Sequence, residues 1–289
     1  ADFDGDEMNM HMPQDEESEL ELRHLAAVPY QIISPAKNES IIGIFQDSLL
    51  GSYLFTREKV DFTPLKAMGL LVGYNKINGN LFKFKRGESD RISNFQILSQ
   101  IMPPLSIRFK NGHYDDAKDQ AATSNRVVEI KDGEYTRGQI EKSVLASCGN
   151  GLIQRICNDF GNTASADFID NLQNIVTEYM KGTAYSVGIS DLMSNADTNA
   201  RIAETILGKK IEVKAIIDQV HLGIFENTTG RSNLEAFETK IANILNTATN
   251  ESGSIGVKKL NPDNRFVTIV KCGSKGTELN ISQMISCLG

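Results

Sequence analysis

The sequence predicts an α+β fold, and two observations support this prediction. Residues 72–136 contain three dipeptides typical of tight turns, Asn78-Gly79, Asn111-Gly112 and Asp132-Gly133. Their flanks are apolar or alternate between apolar and polar residues, which is typical of short strands. Beyond residue 160, apolar residues recur at helical spacing over long stretches. We therefore expect a strand-rich region followed by a helical one.

The first helix is predicted after the acidic stretch from Asp15 to Glu21. Leu20, Leu22 and Leu25 would give this helix an apolar side, and the acidic residues would complement the helix dipole in its first turn. Residues 28–35 are expected to be extended, because the residue before each proline is disfavoured in helical geometry.

Two more helices are predicted before the strand-rich region. Residues 41–55 form a mostly apolar run that suggests a helix packed beneath the N-terminal loop, and residues 59–71 suggest a short helix. A basic patch then follows, with aromatic residues interleaved: Phe82, Lys83, Phe84, Lys85, Arg86 and Arg91. This patch could be either a nucleic-acid-binding surface or an alternating strand with its charges exposed to solvent.

The helical region has three predicted helices. The first covers residues 167–180, with Ser165 as its N-cap. The next two cover residues 197–224 and 234–249. The polar connector between them, residues 226–230, predicts that they pair as an antiparallel hairpin.

The composition is that of an ordinary globular chain, with 40% hydrophobic and 23% charged residues. A net charge of −7 does not favour a free nucleic-acid binder, which usually carries a basic surplus. The sequence contains neither a run long enough to suggest a membrane span nor a pattern typical of a secretory signal. The four cysteines show no paired metal-ligand spacing, so we expect reduced, partly buried thiols in an intracellular protein.

The strongest candidate for chemistry is the N-terminal segment, where Asp2, Asp4 and Asp6 alternate and Gly5 precedes the third carboxylate. A tight loop through the glycine could converge the three carboxylates on one divalent cation, and oxygen-only ligands favour Mg²⁺. On spacing alone, a solvated acidic turn explains the pattern equally well. A calcium-binding EF-hand does not, because glycine precedes the third acidic position and Pro13 stands where the loop's last glutamate is needed.

The same segment carries a resemblance. Asp-Phe-Asp-Gly-Asp at residues 2–6, followed by Glu-Met-Asn-Met-His, resembles the signature sequence of the largest subunit of multisubunit DNA-dependent RNA polymerases. Residues 43–47 and 273–283 are similar to two later landmarks of that subunit, in the same order. In its details the chain resembles the eukaryotic nuclear type, or that of a large DNA virus, more than the bacterial subunit.

The resemblance implies an architecture and a chain organisation. It implies a metal-binding catalytic loop, a mixed pore domain and a helical funnel domain with an antiparallel helix hairpin. The end of the active-site domain would occupy residues 1–60, and the pore domain residues 61–191. The funnel hairpin would occupy residues 192–259, and residues 260–289 would lead towards the bridge helix. The chain would then be a segment of a larger polypeptide or one product of a split gene.

The resemblance also implies an activity. Asp2, Asp4 and Asp6 would hold one Mg²⁺ of a two-metal site, and the second ion would arrive with the nucleoside triphosphate. The reaction is nucleotidyl transfer from nucleoside triphosphates to the RNA 3′ end on a DNA template. We expect the chain to act as part of a multisubunit enzyme and to be inactive alone.

Two lysines are candidates for substrate binding. Lys275 lies between Gly273 and Gly276, a turn that on sequence alone suggests a helix ended by a C-cap glycine. The resemblance suggests that this lysine faces the incoming triphosphate or its entry pore. Lys142 is similar to another pore-lining lysine, although Ser143 follows it where the family often has a second lysine.

The partners implied by the resemblance are the other polymerase subunits, notably the second-largest, together with template DNA, transcript RNA and a transcript-cleavage factor at the funnel. No membrane partner is expected. The location would be the nucleus, or the cytoplasm or virion for a viral enzyme. The alternative function is a non-catalytic docking module of the polymerase for cleavage factors or other subunits.

Overall fold

A computed structural model describes residues 4–83, 90–146 and 149–288, and the fold is α+β as predicted. The chain divides into two compact units, Ala1–Gly182 and Thr183–Gly289. No helix of the described residues is long and apolar enough to cross a membrane.

Helices dominate both units. In chain order the α-helices are α1 (Glu16–Glu21), α2 (Gln46–Phe55), α3 (Pro64–Leu70), α4 (Asn94–Ile101), α5 (Lys142–Leu145), α6 (Leu152–Phe160), α7 (Asn162–Thr183), α8 (Ala196–His221), α9 (Asn233–Lys258), α10 (Arg265–Cys272) and α11 (Glu278–Ile285). The strands are β1 (Ile33–Ser34), β2 (Glu39–Ser40), β3 (Asp61–Phe62), β4 (Ile92–Ser93), β5 (Ile107–Lys110), β6 (Val127–Lys131) and β7 (Glu134–Arg137).

The strands form three small antiparallel sheets, all in the first unit. β1 pairs with β2, and β3 pairs with β4. The third sheet has the order β5-β6-β7. Asp132 and Gly133 connect β6 to β7 with φ angles of 48° and 78°, the left-handed conformation that a two-residue hairpin turn requires. The turn predicted at this dipeptide is confirmed.

The core of the first unit is built around α2 and α7. The Phe55 ring at the end of α2 stacks on the Phe62 ring of β3 with centroids 5.5 Å apart, and it meets the Tyr179 ring of α7 edge-on at 5.2 Å. Gly51 of α2 lies so close to α7 that an added Cβ would stand 2.4 Å from the Val176 side chain. The missing side chain therefore allows the two helices to approach each other closely.

In the second unit, α8 packs along α9, and α9 also packs against α11. Lys209 of α8 lies 3.8 Å from the Glu251 carboxylate of α9. Gly253 faces α11 directly, since a Cβ there would lie 2.5 Å from that of Ser282. α9 thus continues past residue 249, where the sequence predicted its end, because its glycine- and serine-rich last turns pack tightly on another helix.

Two predictions for the N-terminal part hold only in part. Leu20, Leu22 and Leu25 are 55%, 50% and 65% exposed. α1 forms without burying an apolar side because Asp15 caps it, accepting a hydrogen bond from the Ser18 N–H at 2.7 Å. Residues 28–31 form a 3₁₀ turn and not an extended segment, because Pro29 occupies its first turn, where a missing N–H costs nothing. Ile33–Ser34 are extended in β1, as predicted.

The predicted helix bounds also needed correction. The helix expected over residues 41–55 begins only at Gln46, and the one expected over 59–71 begins at Pro64. Ser165 is not a cap but a buried residue inside α7, whose hydroxyl donates to the Ile153 carbonyl at 3.3 Å. Half of the basic patch, namely Phe84, Lys85 and Arg86, lies outside the described residues. Arg91 is described, and it lies 3.4 Å from the Asp61 carboxylate.

We expect Gly51→Ala to destabilise the first unit by about 1–3 kcal/mol, because the new methyl group must push α7 away from α2. Gly69→Ala is the matched control. Gly69 lies in α3 with no atom within 4 Å of an added Cβ, so alanine should stabilise by up to about 1 kcal/mol through helix propensity. Denaturant unfolding of both variants measures the difference, and equal effects would contradict the close packing of α2 on α7.

Candidate functional site

The N-terminal loop places two carboxylates on either side of a glycine. Asp4 and Gly5 form a turn, and Gly5 has a φ of +113°, a backbone conformation that favours glycine. No atom lies within 4 Å of an added Cβ at Gly5, so the glycine is required by backbone conformation and not by crowding. Asp4 and Asp6 are both exposed. Asp2, the third predicted ligand, lies outside the described residues.

The residues of this loop fit a hard divalent cation. Asp4 and Asp6 offer only oxygen atoms, the donors that Mg²⁺ prefers, and their exposure leaves them accessible. Within residues 4–83, 90–146 and 149–288, no group of three or more His, Cys, Asp or Glu side chains is arranged to hold a metal. The predicted group includes Asp2, so its convergence stays a prediction.

Lys142 is the first residue of the short helix α5, and its side chain is exposed. The preceding residue, Glu141, caps this helix and is only 4% exposed. One of its carboxylate oxygens accepts from the Gly112 N–H at 2.9 Å, and the other accepts from the Ser143 N–H at 3.1 Å. The Ser143 hydroxyl also donates to Glu141. The Lys142 backbone is therefore fixed on both sides.

The segment leading into α5 is tied to the end of α2. The Ile140 N–H donates to the Thr56 hydroxyl at 2.8 Å, and the Gln139 amide donates to the Tyr53 carbonyl at 3.2 Å. At the other end of α5, the Leu145 carbonyl accepts from the Ile44 N–H at 2.9 Å. Ile44 belongs to the second family landmark, residues 43–47. The sequence therefore indicated two parts of this region but not the bonds that join them.

Glu141 itself was missed by the sequence reasoning. Glutamate is not among the residues preferred at helix N-caps, so no local pattern marks it. Its main donor, Gly112, lies 29 residues away in the chain. Only the fold reveals the pairing.

The loop between β5 and β6 borders this region, and both this loop and β6 carry carboxylates with lowered pKa values. The pKa of Asp119 is lowered, first by the hydrogen bond from the Asp115 N–H at 2.9 Å and further by Ser124 and Arg126. Hydrogen bonds from Lys131 and Arg137 lower the pKa of Glu129.

Lys275 follows α10, which ends at Cys272. Gly273 adopts the left-handed conformation with a φ of 78°, and the C-cap predicted from the sequence is confirmed. Lys275 is exposed in the turn that follows. Thr277 is the N-cap residue of α11, and the Asn280 side chain inside the helix accepts from its N–H at 2.8 Å. Lys142 thus lies in the first unit, at the start of α5, and Lys275 lies in the second unit, in the turn after α10.

Comparison with known proteins gives a consistent picture. The profile of RNA polymerase Rpb1 domain 3 matches residues 31–192, that of domain 4 matches residues 216–289 and that of domain 2 matches residues 1–28. DNA-directed RNA polymerase subunit Rpo1N from two strains of Halobacterium salinarum is 31% identical over 292 residues, covering 100% of this chain. The chain spans 29% of the length of these curated relatives.

The carboxylates of the β5–β6 loop predict acid sensitivity. A carboxylate whose folded pKa is depressed stabilises the fold above its ordinary pKa, 3.8 for aspartate, and this contribution is lost as pH falls through the folded value. We therefore expect the stability of the first unit to fall as the pH is lowered into the acidic range below about 4. Asp119→Asn should make this fall smaller, as measured by thermal unfolding across that range. Glu134→Gln, at an exposed site of β7, should leave it unchanged. An identical acid response of Asp119→Asn and the original chain would contradict the assignment.

Proposed function

The chain belongs to the Rpb1 family of largest subunits of DNA-directed RNA polymerases, and on this premise we propose that it forms part of the enzyme's catalytic core. The proposed activity is Mg²⁺-dependent nucleotidyl transfer from nucleoside triphosphates to the RNA 3′ end on a DNA template. The observation that carries the proposal is the N-terminal loop. Residues 1–28 match Rpb1 domain 2, and within them Asp4 and Asp6 flank a glycine with a φ of +113°.

In this proposal Asp2, Asp4 and Asp6 are the magnesium ligands. When bound, the ion would favour ionisation of the RNA 3′-hydroxyl and offset the charge that develops at the reacting phosphate. The chain's own contribution is to hold carboxylates in one short loop. Three carboxylates brought together around one ion would repel one another in its absence, and Gly5 supplies the backbone conformation that the turn needs.

The remaining parts of the chain receive supporting roles. Residues 61–191 would be the pore domain and residues 192–259 the funnel domain, with α8 and α9 as its hairpin. Lys142 and Lys275 would contact the incoming triphosphate, a role supported by their exposure. The proposed partners are the other subunits, notably the second-largest, with template DNA, transcript RNA and a transcript-cleavage factor at the funnel. A eukaryotic nuclear or viral origin stays a prediction.

A second candidate function is a non-catalytic docking module for cleavage factors or other subunits. The observation that favours it is the apolar exposure of α8, where Leu207 and Ile211 are 59% and 62% exposed. These residues lie four positions apart, on one face of the helix. The experiment on the carboxylate loop separates the two functions.

We expect Asp4→Ala and Asp6→Ala each to lower RNA synthesis by the assembled polymerase at least about 10³-fold, because losing one ligand disrupts the charge stabilisation on which the reaction depends. Template-directed primer extension measures the rate, and size-exclusion chromatography checks assembly. Glu16→Gln is the matched control, since Glu16 is an exposed carboxylate of the same N-terminal segment. Normal synthesis by Asp4→Ala in an assembled enzyme would refute the catalytic function and favour docking.

A further inference from the structure

Glu141 is an unusual feature of the first unit, because it is a buried carboxyl group that has no cationic partner within the part of the chain that the structure describes. It is 4% exposed, and none of the ion pairs among the described residues includes it. Buried charges are ordinarily paired with an opposite charge. Both oxygens of Glu141 instead accept from neutral donors, namely the N–H groups of Gly112 and Ser143 and the Ser143 hydroxyl. A residue so placed needs an explanation beyond packing.

The hydrogen bonds of Glu141 define what it holds. Gly112 belongs to the loop after β5, and Ser143 belongs to the first turn of α5, so one carboxylate joins the two segments. The Gly112 backbone lies so close that an added Cβ would stand 3.3 Å from the Glu141 Oε1 atom. Asn111 reinforces the link by donating to the Gln139 carbonyl at 3.2 Å. Lys142 lies between Glu141 and Ser143 in the chain, so these hydrogen bonds fix its backbone on both sides.

We propose that Glu141 is a positioning residue for Lys142: it fixes the start of α5, so that the exposed ammonium group of Lys142 is presented to the incoming triphosphate. This inference rests on the proposed function of Lys142. The side chain of Ser143 supports the positioning role of Glu141. A second lysine at that position would place another cation there, whereas serine donates a hydrogen bond to Glu141 and completes the network.

The charge arrangement also favours a positioning role over a direct one. Glu141 is buried, so it cannot itself meet a triphosphate, and its negative charge would repel one. Lys142 is exposed and carries the charge that attracts phosphate oxygens. Glu141 must therefore affect triphosphate binding indirectly, by fixing the backbone of Lys142.

A double-mutant cycle in the assembled polymerase tests the proposal, with the KM for nucleoside triphosphate and kcat measured by primer extension. Lys142→Met should raise the KM about tenfold with kcat nearly unchanged, as expected when a binding contact is lost from ground state and transition state alike. Glu141→Ala should raise the KM about three- to fivefold, because Lys142 is then only loosely placed. In the Lys142→Met background, Glu141→Ala should have no further effect on the KM.

The controls separate positioning from general destabilisation. Ser165→Ala removes a buried hydroxyl of α7, and it should lower stability without changing the KM. If Glu141→Ala prevents assembly, Gly112→Ala is used in its place. The Cβ added at residue 112 crowds the Glu141 carboxylate, so this variant should also raise the KM.

The outcomes distinguish the inference from the function it rests on. If Lys142→Met leaves the KM unchanged, the proposed role of Lys142 fails. If Lys142→Met raises the KM but Glu141→Ala does not, or if Glu141→Ala raises the KM equally in both backgrounds, Lys142 keeps its role and the positioning role of Glu141 is overturned.

Discussion

The first unit depends on a hydrogen-bonded connection at one buried threonine. Thr56 ends α2, and its hydroxyl donates to the Ser52 carbonyl at 2.7 Å while accepting from the Ile140 N–H at 2.8 Å. Its own carbonyl accepts from the Asn125 side chain at 3.2 Å. One residue thereby links the helix of the core to the start of β6 and to the segment before α5. Because Thr56 and Ile140 are fully buried, removing one partner would leave the other unsatisfied, which makes the connection costly to break.

Local patterns were sufficient for the elements that carry their own signal. The apolar spacing that predicted the helix over residues 167–180 correctly identified Phe168 and Leu172 as core residues, because one buried face is all that such a pattern requires. The Asp132-Gly133 turn was predictable because few dipeptides accept two left-handed residues in succession. The glycine at position 5 likewise has the unusual φ that its place between two aspartates suggested.

The predictions failed where contacts between residues far apart in the sequence determine the local structure. Ser165 has the chemistry of a helix cap, but it is buried against α6, and nothing near it in the sequence indicates that contact. α9 contains residues that usually end helices, yet packing against α11 extends it to Lys258. The pairing of Glu141 with Gly112 depends on how β5 is placed beside α5. Of the candidate site, the aspartates and lysines were visible in the sequence, whereas the groups that position Lys142 were not.

The carboxylates of the N-terminal loop and that of Glu141 differ in their exposure to solvent, and this difference indicates different roles. Asp4 and Asp6 are exposed, so their carboxylate oxygens remain accessible to a cation. Glu141 is buried and is satisfied entirely by donors of the chain. A metal ligand must remain able to exchange partners, whereas a positioning group must not. Burial therefore excludes Glu141 from direct contact with substrate and suits it to holding Lys142, while exposure suits the aspartates to binding an ion.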